Sequence, residues 1–123
     1  MQSVMTHRAP AAIGPYSQAI LMNNILFVSG QLGIDPGTSL IPESFEEQAN
    51  LVFNNIKAIL DAAGMGLSNI VKVSVFLQDL DNFTLLNEIY MRYFSAPYPA
   101  REVVQVLRLP QNGKIEISVI AMR

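Results

Sequence analysis

Ile70-Val71-Lys72-Val73-Ser74-Val75-Phe76-Leu77-Gln78 is the stretch on which the fold turns. It alternates with period two, which predicts a strand. Val71, Val73, Val75 and Leu77 fall on one face; Ile70, Lys72, Ser74, Phe76 and Gln78 fall on the other. Both faces carry bulky apolar side chains. Such a strand is covered twice, once by helices and once by something else.

Upstream, Ser44 and Glu47 stand three residues apart, as in a capping box, and open the best helix in the chain. Phe45, Ala49, Val52, Phe53, Ile56, Leu60 and Ala63 follow at three- and four-residue steps on one face, and Gly64 closes the run as a C-cap glycine does. That stripe reads as core. Downstream, Asp81 is expected to cap a second helix over residues 82–94. Phe83, Leu86, Tyr90 and Tyr93 or Phe94 face inward, with Asn87 on or beside the stripe. An amide there must find a partner, as a loop tether or as a site residue.

Further out, two short apolar runs at residues 18–22 and 25–29 flank Asn23-Asn24. Asparagine tolerates the positive φ of tight hairpin turns, so a β-hairpin is predicted, ending at Ser29-Gly30-Gln31. Gly30 there permits a bulge or a close backbone approach. Residues 32–42 read as a loop around Asp35-Pro36-Gly37. Residues 1–8 can form an edge strand, and Pro10, Gly14 and Pro15 make residues 9–17 a stiff loop. After a turn at Pro110-Gln111-Asn112-Gly113 comes a last strand over residues 114–122. Ile115, Ile117, Val119 and Ala121 share one of its faces. The order is strand, hairpin, helix, strand, helix, strand, strand. It predicts one α+β domain over residues 1–123, with a mostly antiparallel sheet and helices on one face. The other face is left bare. Its occupants include Ile70 or Val71, Val103 or Val104, and Ile120 or Val119, according to register.

Half of the 123 residues are hydrophobic and 15% are charged, against about 25% in a typical domain. So little charge on so small a domain implies that apolar surface is covered by other copies of the chain. The net charge of −2, with no Lys/Arg cluster, argues against a nucleic-acid footprint. With no cysteine there is no disulfide, thiol nucleophile or Cys-based metal site, and His7 is the only histidine. No apolar run is long enough to span a membrane and no leader pattern opens the chain. The expectation is a soluble cytosolic protein.

The chemistry is placed at Ala96-Pro97-Tyr98-Pro99-Ala100-Arg101-Glu102-Val103-Val104-Gln105-Val106. Two nearby prolines bar helix and central strand, and a β-branched run follows. Arg101 therefore sits where a rigid loop becomes a strand. A guanidinium fixed by its own backbone makes a fork for a carboxylate, since its planar donors match both oxygens. The plainer reading is a solvated arginine at a strand mouth. Alternation puts Arg101 and Val103 on one face and Glu102 on the other. Tyr16, between Gly14-Pro15 and Ser17-Gln18, is a packing plug or a hydroxyl aimed at a ligand.

Arg8-Ala9-Pro10-Ala11-Ala12-Ile13-Gly14-Pro15-Tyr16-Ser17-Gln18-Ala19 resembles the N-terminal signature of the reactive intermediate deaminase family, also called RidA or YjgF. Val28-Ser29-Gly30-Gln31, Asn87-Glu88-Ile89-Tyr90, Pro99-Ala100-Arg101 and Ile115-Glu116-Ile117 match its further motifs in the same order. The resemblance implies a chorismate-mutase-like α+β fold, a homotrimer with sites between subunits, and no cofactor. It implies hydrolysis of the enamines and imines that pyridoxal-phosphate enzymes release, to 2-oxo acids and ammonia. It assigns Arg101 and Tyr16 to catalysis, and Arg101, Ser29, Gly30, Asn87, Val103 and Ser118 to the pocket for a small 2-imino or 2-oxo acid. Two departures stand out. Glu102 and Val103 replace a small hydroxyl residue and a Cys or Thr. Ser118 stands where the resemblance implies a second Glu that positions water; Glu116, about 7 Å along the same face, is expected to lie too far away to substitute. A weakened deaminase, or a non-catalytic binder of 2-oxo acids, is the resulting expectation.

Overall fold

The structure, a computed structural model, describes residues 1–123. Six strands form one sheet: β1 (Gln2–Val4), β2 (Ala19–Met22), β3 (Ile25–Leu32), β4 (Ile70–Leu77), β5 (Ala100–Gln105) and β6 (Ile115–Met122). Their spatial order is β1-β2-β3-β6-β4-β5. Only β4 and β5 run parallel; every other pairing is antiparallel. Helices α1 (Phe45–Ala62) and α2 (Phe83–Tyr90) complete the α+β architecture.

The hairpin β2–β3 turns at Asn23 and Asn24, with φ of 50° and 66°. The Ser44 side chain accepts the Glu47 N–H at 3.1 Å to cap α1. At the other end Gly64, at φ 72°, donates to Asp61 while Met65 donates to Leu60. That double bond pair is a Schellman ending, and its left-handed residue suits glycine. The whole predicted stripe of α1, from Phe45 to Ala63, is buried against the sheet.

Four local expectations are corrected. β3 does not stop at Gly30; it continues to Leu32 through a register shift between Val28 and Gln31, a bulge that absorbs the glycine. A second shift lies between Ile70 and Lys72, so Ile70 is buried beside Val73, Val75 and Leu77 while Val71 faces out. The extra residue exchanges the faces that Ile70 and Val71 were expected to occupy. The turn before α2 is capped by Asp79, which accepts the Asp81 N–H at 2.9 Å, not by Asp81. Finally, α2 ends at Tyr90, and its buried side chains are Leu86, Ile89 and Tyr90; Phe83 lies exposed at its start.

These registers settle the bare face. Val71, Val104, Ile120, Phe27 and Met122 lie on it and are partly or largely exposed, around a polar centre of Lys72, Ser74, Glu102 and Ser118. No helix is long and apolar enough to cross a membrane.

Candidate active site

Arg101 enters from β5, an edge strand that tolerates the prolines just before it. In the ladder it sits opposite Val73, so its side chain leaves on the helix side, as does that of Val103. The guanidinium carbon lies 4.7 Å from the centroid of the Tyr90 ring and 5.7 Å from that of Phe83. The ion pairs of the chain involve Arg8, Lys72 and Arg92; Arg101 has no acidic partner. It opens on a hollow of about 440 Å³ walled by Asn87, Tyr90, Met91, Tyr98 and Pro99. An unpaired guanidinium in such a hollow keeps its planar donors free, the geometry that matches an anion with two oxygens.

Tyr16, Ser29 and Gly30 meet in a different place, a groove of about 1230 Å³ under the N-terminal loop. The loop is held by Gln18, which is buried. Its carbonyl accepts the Thr6 N–H at 2.8 Å, and its amide donates to the carbonyls of Thr6 at 3.1 Å and Pro10 at 2.7 Å. The Ser29 N–H donates to the backbone carbonyl of Gln18 at 2.9 Å. The Ser29 hydroxyl donates to the Ser17 carbonyl at 2.6 Å, so toward a ligand it can only accept. Tyr16 is thereby presented outward, half exposed, on a pinned loop.

Glu116 lines the same groove. Its carboxylate lies against Gly30: a Cβ there would sit 2.8 Å from Oε1. Burial, with no charged partner, pushes its carboxyl above the ordinary range. A carboxylate so placed holds a proton more tightly than one in open water.

Ser118 faces Ser74 across the ladder, and neither it nor Val103 lines the hollow or the groove. The Ser74 hydroxyl donates to Glu102, whose other oxygen lies 3.1 Å from the Lys72 ammonium. Those two contacts, the serine bond first, hold the Glu102 carboxyl below its ordinary range. Glu102 thus points away from Arg101, onto the bare face. One chain therefore holds two partial constellations with no residue in common: Arg101 with Asn87, and Tyr16, Ser29 and Gly30 with Glu116.

Three contributors escaped the sequence reading. Gln18 was legible only as part of a motif, although an amide inside a proline-rich loop is a signal that something needs tethering. Tyr90 read as core from its helical spacing, and it is core on one side only. Glu116 read only as distant from position 118; its place beside Gly30 was not legible, because spacing along a strand does not show which acid a bulge brings to a glycine.

A family profile described as endoribonuclease L-PSP matches residues 6–123. The chain is 45% identical to the 2-iminobutanoate/2-iminopropanoate deaminase of Bos taurus, over 98% of its own length and 88% of that protein. Its fold matches the crystal structure of RidA from an Antarctic Psychrobacter with a TM-score of 0.98 at 49% identity, covering 100% of both chains. It matches Escherichia coli TdcF with bound serine at a TM-score of 0.96 and 44% identity, covering 100% of this chain and 99% of that one. A family match over residues 6–123, together with a full-length relative at 45% identity and the same fold throughout, means that the chain belongs to the RidA/YjgF/L-PSP family.

Proposed function

We infer that the chain is an imine deaminase that hydrolyses 2-iminobutanoate and 2-iminopropanoate, and their enamine tautomers, to 2-oxo acids and ammonia. The unpaired Arg101 guanidinium beside Asn87 carries this reading. It supplies a fork for the carboxylate common to these substrates, and Asn87 supplies an amide for the adjacent nitrogen or oxygen. Glu116 is the base. It takes a proton from water as the water oxygen attacks the C=N carbon of the protonated imine, and the C=N π electrons pass to the nitrogen, which becomes the amine of a carbinolamine. Glu116 returns that proton to the nitrogen; the C–N bond then breaks as the C=O bond forms, ammonia leaves, and the carbinolamine hydroxyl gives its proton back to the Glu116 carboxylate. Tyr16 donates its hydroxyl to the same nitrogen or to the water. A substrate imine is already electrophilic, so positioning supplies much of the acceleration and the base a further factor of about 10²–10⁴.

The two constellations complete one another across copies of the chain. Arg101 stands on an edge strand and Glu116 on the bare face, so a neighbouring chain seated on that face with its β5 edge beside the groove would bring the two together. A homotrimer with three such sites is the assembly proposed, in the cytoplasm, with no cofactor. Glu116 in the groove favours turnover over mere binding, whatever stands at position 118. One exposed histidine and a net charge of −2 lend no support to RNA cleavage.

Ammonia release from a pyridoxal-phosphate serine or threonine dehydratase reaction tests the proposal. The protein should accelerate release over the spontaneous rate, and Arg101→Ala should abolish the acceleration. Equal rates with wild type and Arg101→Ala would remove it.

A further inference from the structure

We propose that Phe83 and Tyr90 are positioning residues for Arg101: their rings form a cradle that holds the guanidinium in the hollow while leaving its N–H donors free for an acid group. The proposal rests on the reading of Arg101 as the carboxylate anchor.

Arginine is long and flexible, and β5 is an edge strand, so the backbone alone does not fix the fork. Proteins usually fix an arginine with an Asp or Glu. Here that solution would be self-defeating, because a resident carboxylate would occupy the donors that the ligand needs. An aromatic face attracts a cation through its quadrupole and uses none of the donors. Both rings lie within the roughly 6 Å over which that attraction acts, at 4.7 and 5.7 Å.

The helix is arranged to present them. Phe83 and Tyr90 are seven residues apart, two turns, and so share a face of α2. Tyr90 is rigid: only 5% exposed, it packs against Phe94 at 4.5 Å and edge-on to Phe53 at 6.0 Å. Its hydroxyl finds no hydrogen-bond partner, so the residue contributes here through its ring. Phe83 is 40% exposed although it falls on the predicted apolar stripe. As a core residue it would be misplaced; as the outer wall of a guanidinium cradle it is where it should be.

Phe83→Leu is the decisive variant, since an exposed ring at a helix start can be replaced without unfolding the chain. Binding of 2-oxobutyrate is measured by calorimetry on the assembled protein, and imine hydrolysis alongside it. The expected result is a rise in Kd and KM of about two- to fivefold, the range of an exposed cation–π contact, with kcat changed less than twofold. Phe83→Trp should keep the wild-type Kd. In an Arg101→Gln background, Phe83→Leu should change Kd less than twofold, because no cation remains for the ring to hold. If Arg101→Gln weakens binding but Phe83→Leu has no effect, or the same effect in both backgrounds, the cradle is overturned and the anchor stands. If Arg101→Gln itself leaves Kd unchanged, the anchor reading fails and this one with it.

Discussion

Gly30→Ala separates the work of Glu116 from that of Arg101. An added Cβ would lie 2.8 Å from Glu116 Oε1 and 2.9 Å from Cδ, where ordinary contact begins at 3.4 Å. Gly30 is not among the residues with positive φ, so the backbone accepts alanine. The flexible carboxylate must yield instead, by roughly half an ångström. A misplacement of about 1 Å can cost about 10²-fold in rate, so a loss of about tenfold in kcat is expected from half that shift. The Arg101 hollow shares no residue with the groove, so Kd for 2-oxobutyrate should stay within twofold. Ammonia release coupled to a dehydratase gives kcat, calorimetry gives Kd, and thermal unfolding checks the fold. The decisive comparison is with Glu116→Gln, which removes the base and should cost about 10²–10⁴. Gly30→Ala on top of Glu116→Gln should cost nothing more, since both act on one group. Undiminished kcat in Gly30→Ala, or a further tenfold loss in the double variant, would refute the assignment of Glu116.

Burial raises the Glu116 carboxyl in the folded chain above its ordinary value of 4.5, so the native state holds that proton more tightly than the unfolded one. Its contribution to stability is therefore fully present below the ordinary value and is lost as pH rises through the raised one. Urea unfolding should show Glu116→Gln gaining stability over wild type at pH 7 and no gain at pH 4; a gain equal at both would contradict the burial account. Ser118→Glu should give no increase in kcat, because position 118 lies outside the groove; a rise above twofold would return the water-positioning role to that position. Ile120→Asp puts a charge in the apolar part of the bare face, and sedimentation should find monomers with little deaminase activity. Full activity in such a monomer would mean that the site is complete within one chain.

How far the fold could be read depended on the range of the forces involved. The Asn23-Asn24 turn, the Ser44 cap, the Gly64 ending and the stripe of α1 are written in neighbouring residues, because dihedral preference and helical period act over a few positions. The same holds for the alternation of β6. The bulge at Val71 and the early end of α2 were not readable in this way. A bulge depends on the partner strand, and helix length on what the last turn packs against. Asn87, about thirteen residues before the start of β5, and Arg101, the second residue of that strand, meet only because β4, α2 and β5 form a crossover to a parallel pair.

The α+β class and the family signature are legible in the residues alone, as are an arginine where a stiff loop becomes a strand, a proline-bound loop carrying Tyr16 and a glycine at position 30. Tertiary structure alone decided which acid stands beside that glycine, which way Glu102 points, and that the arginine and the acid occupy opposite faces of one sheet. Composition and short-range geometry suffice for the first set. The second depends on strand register and on which cavities close, and those are set by contacts between residues far apart in the chain.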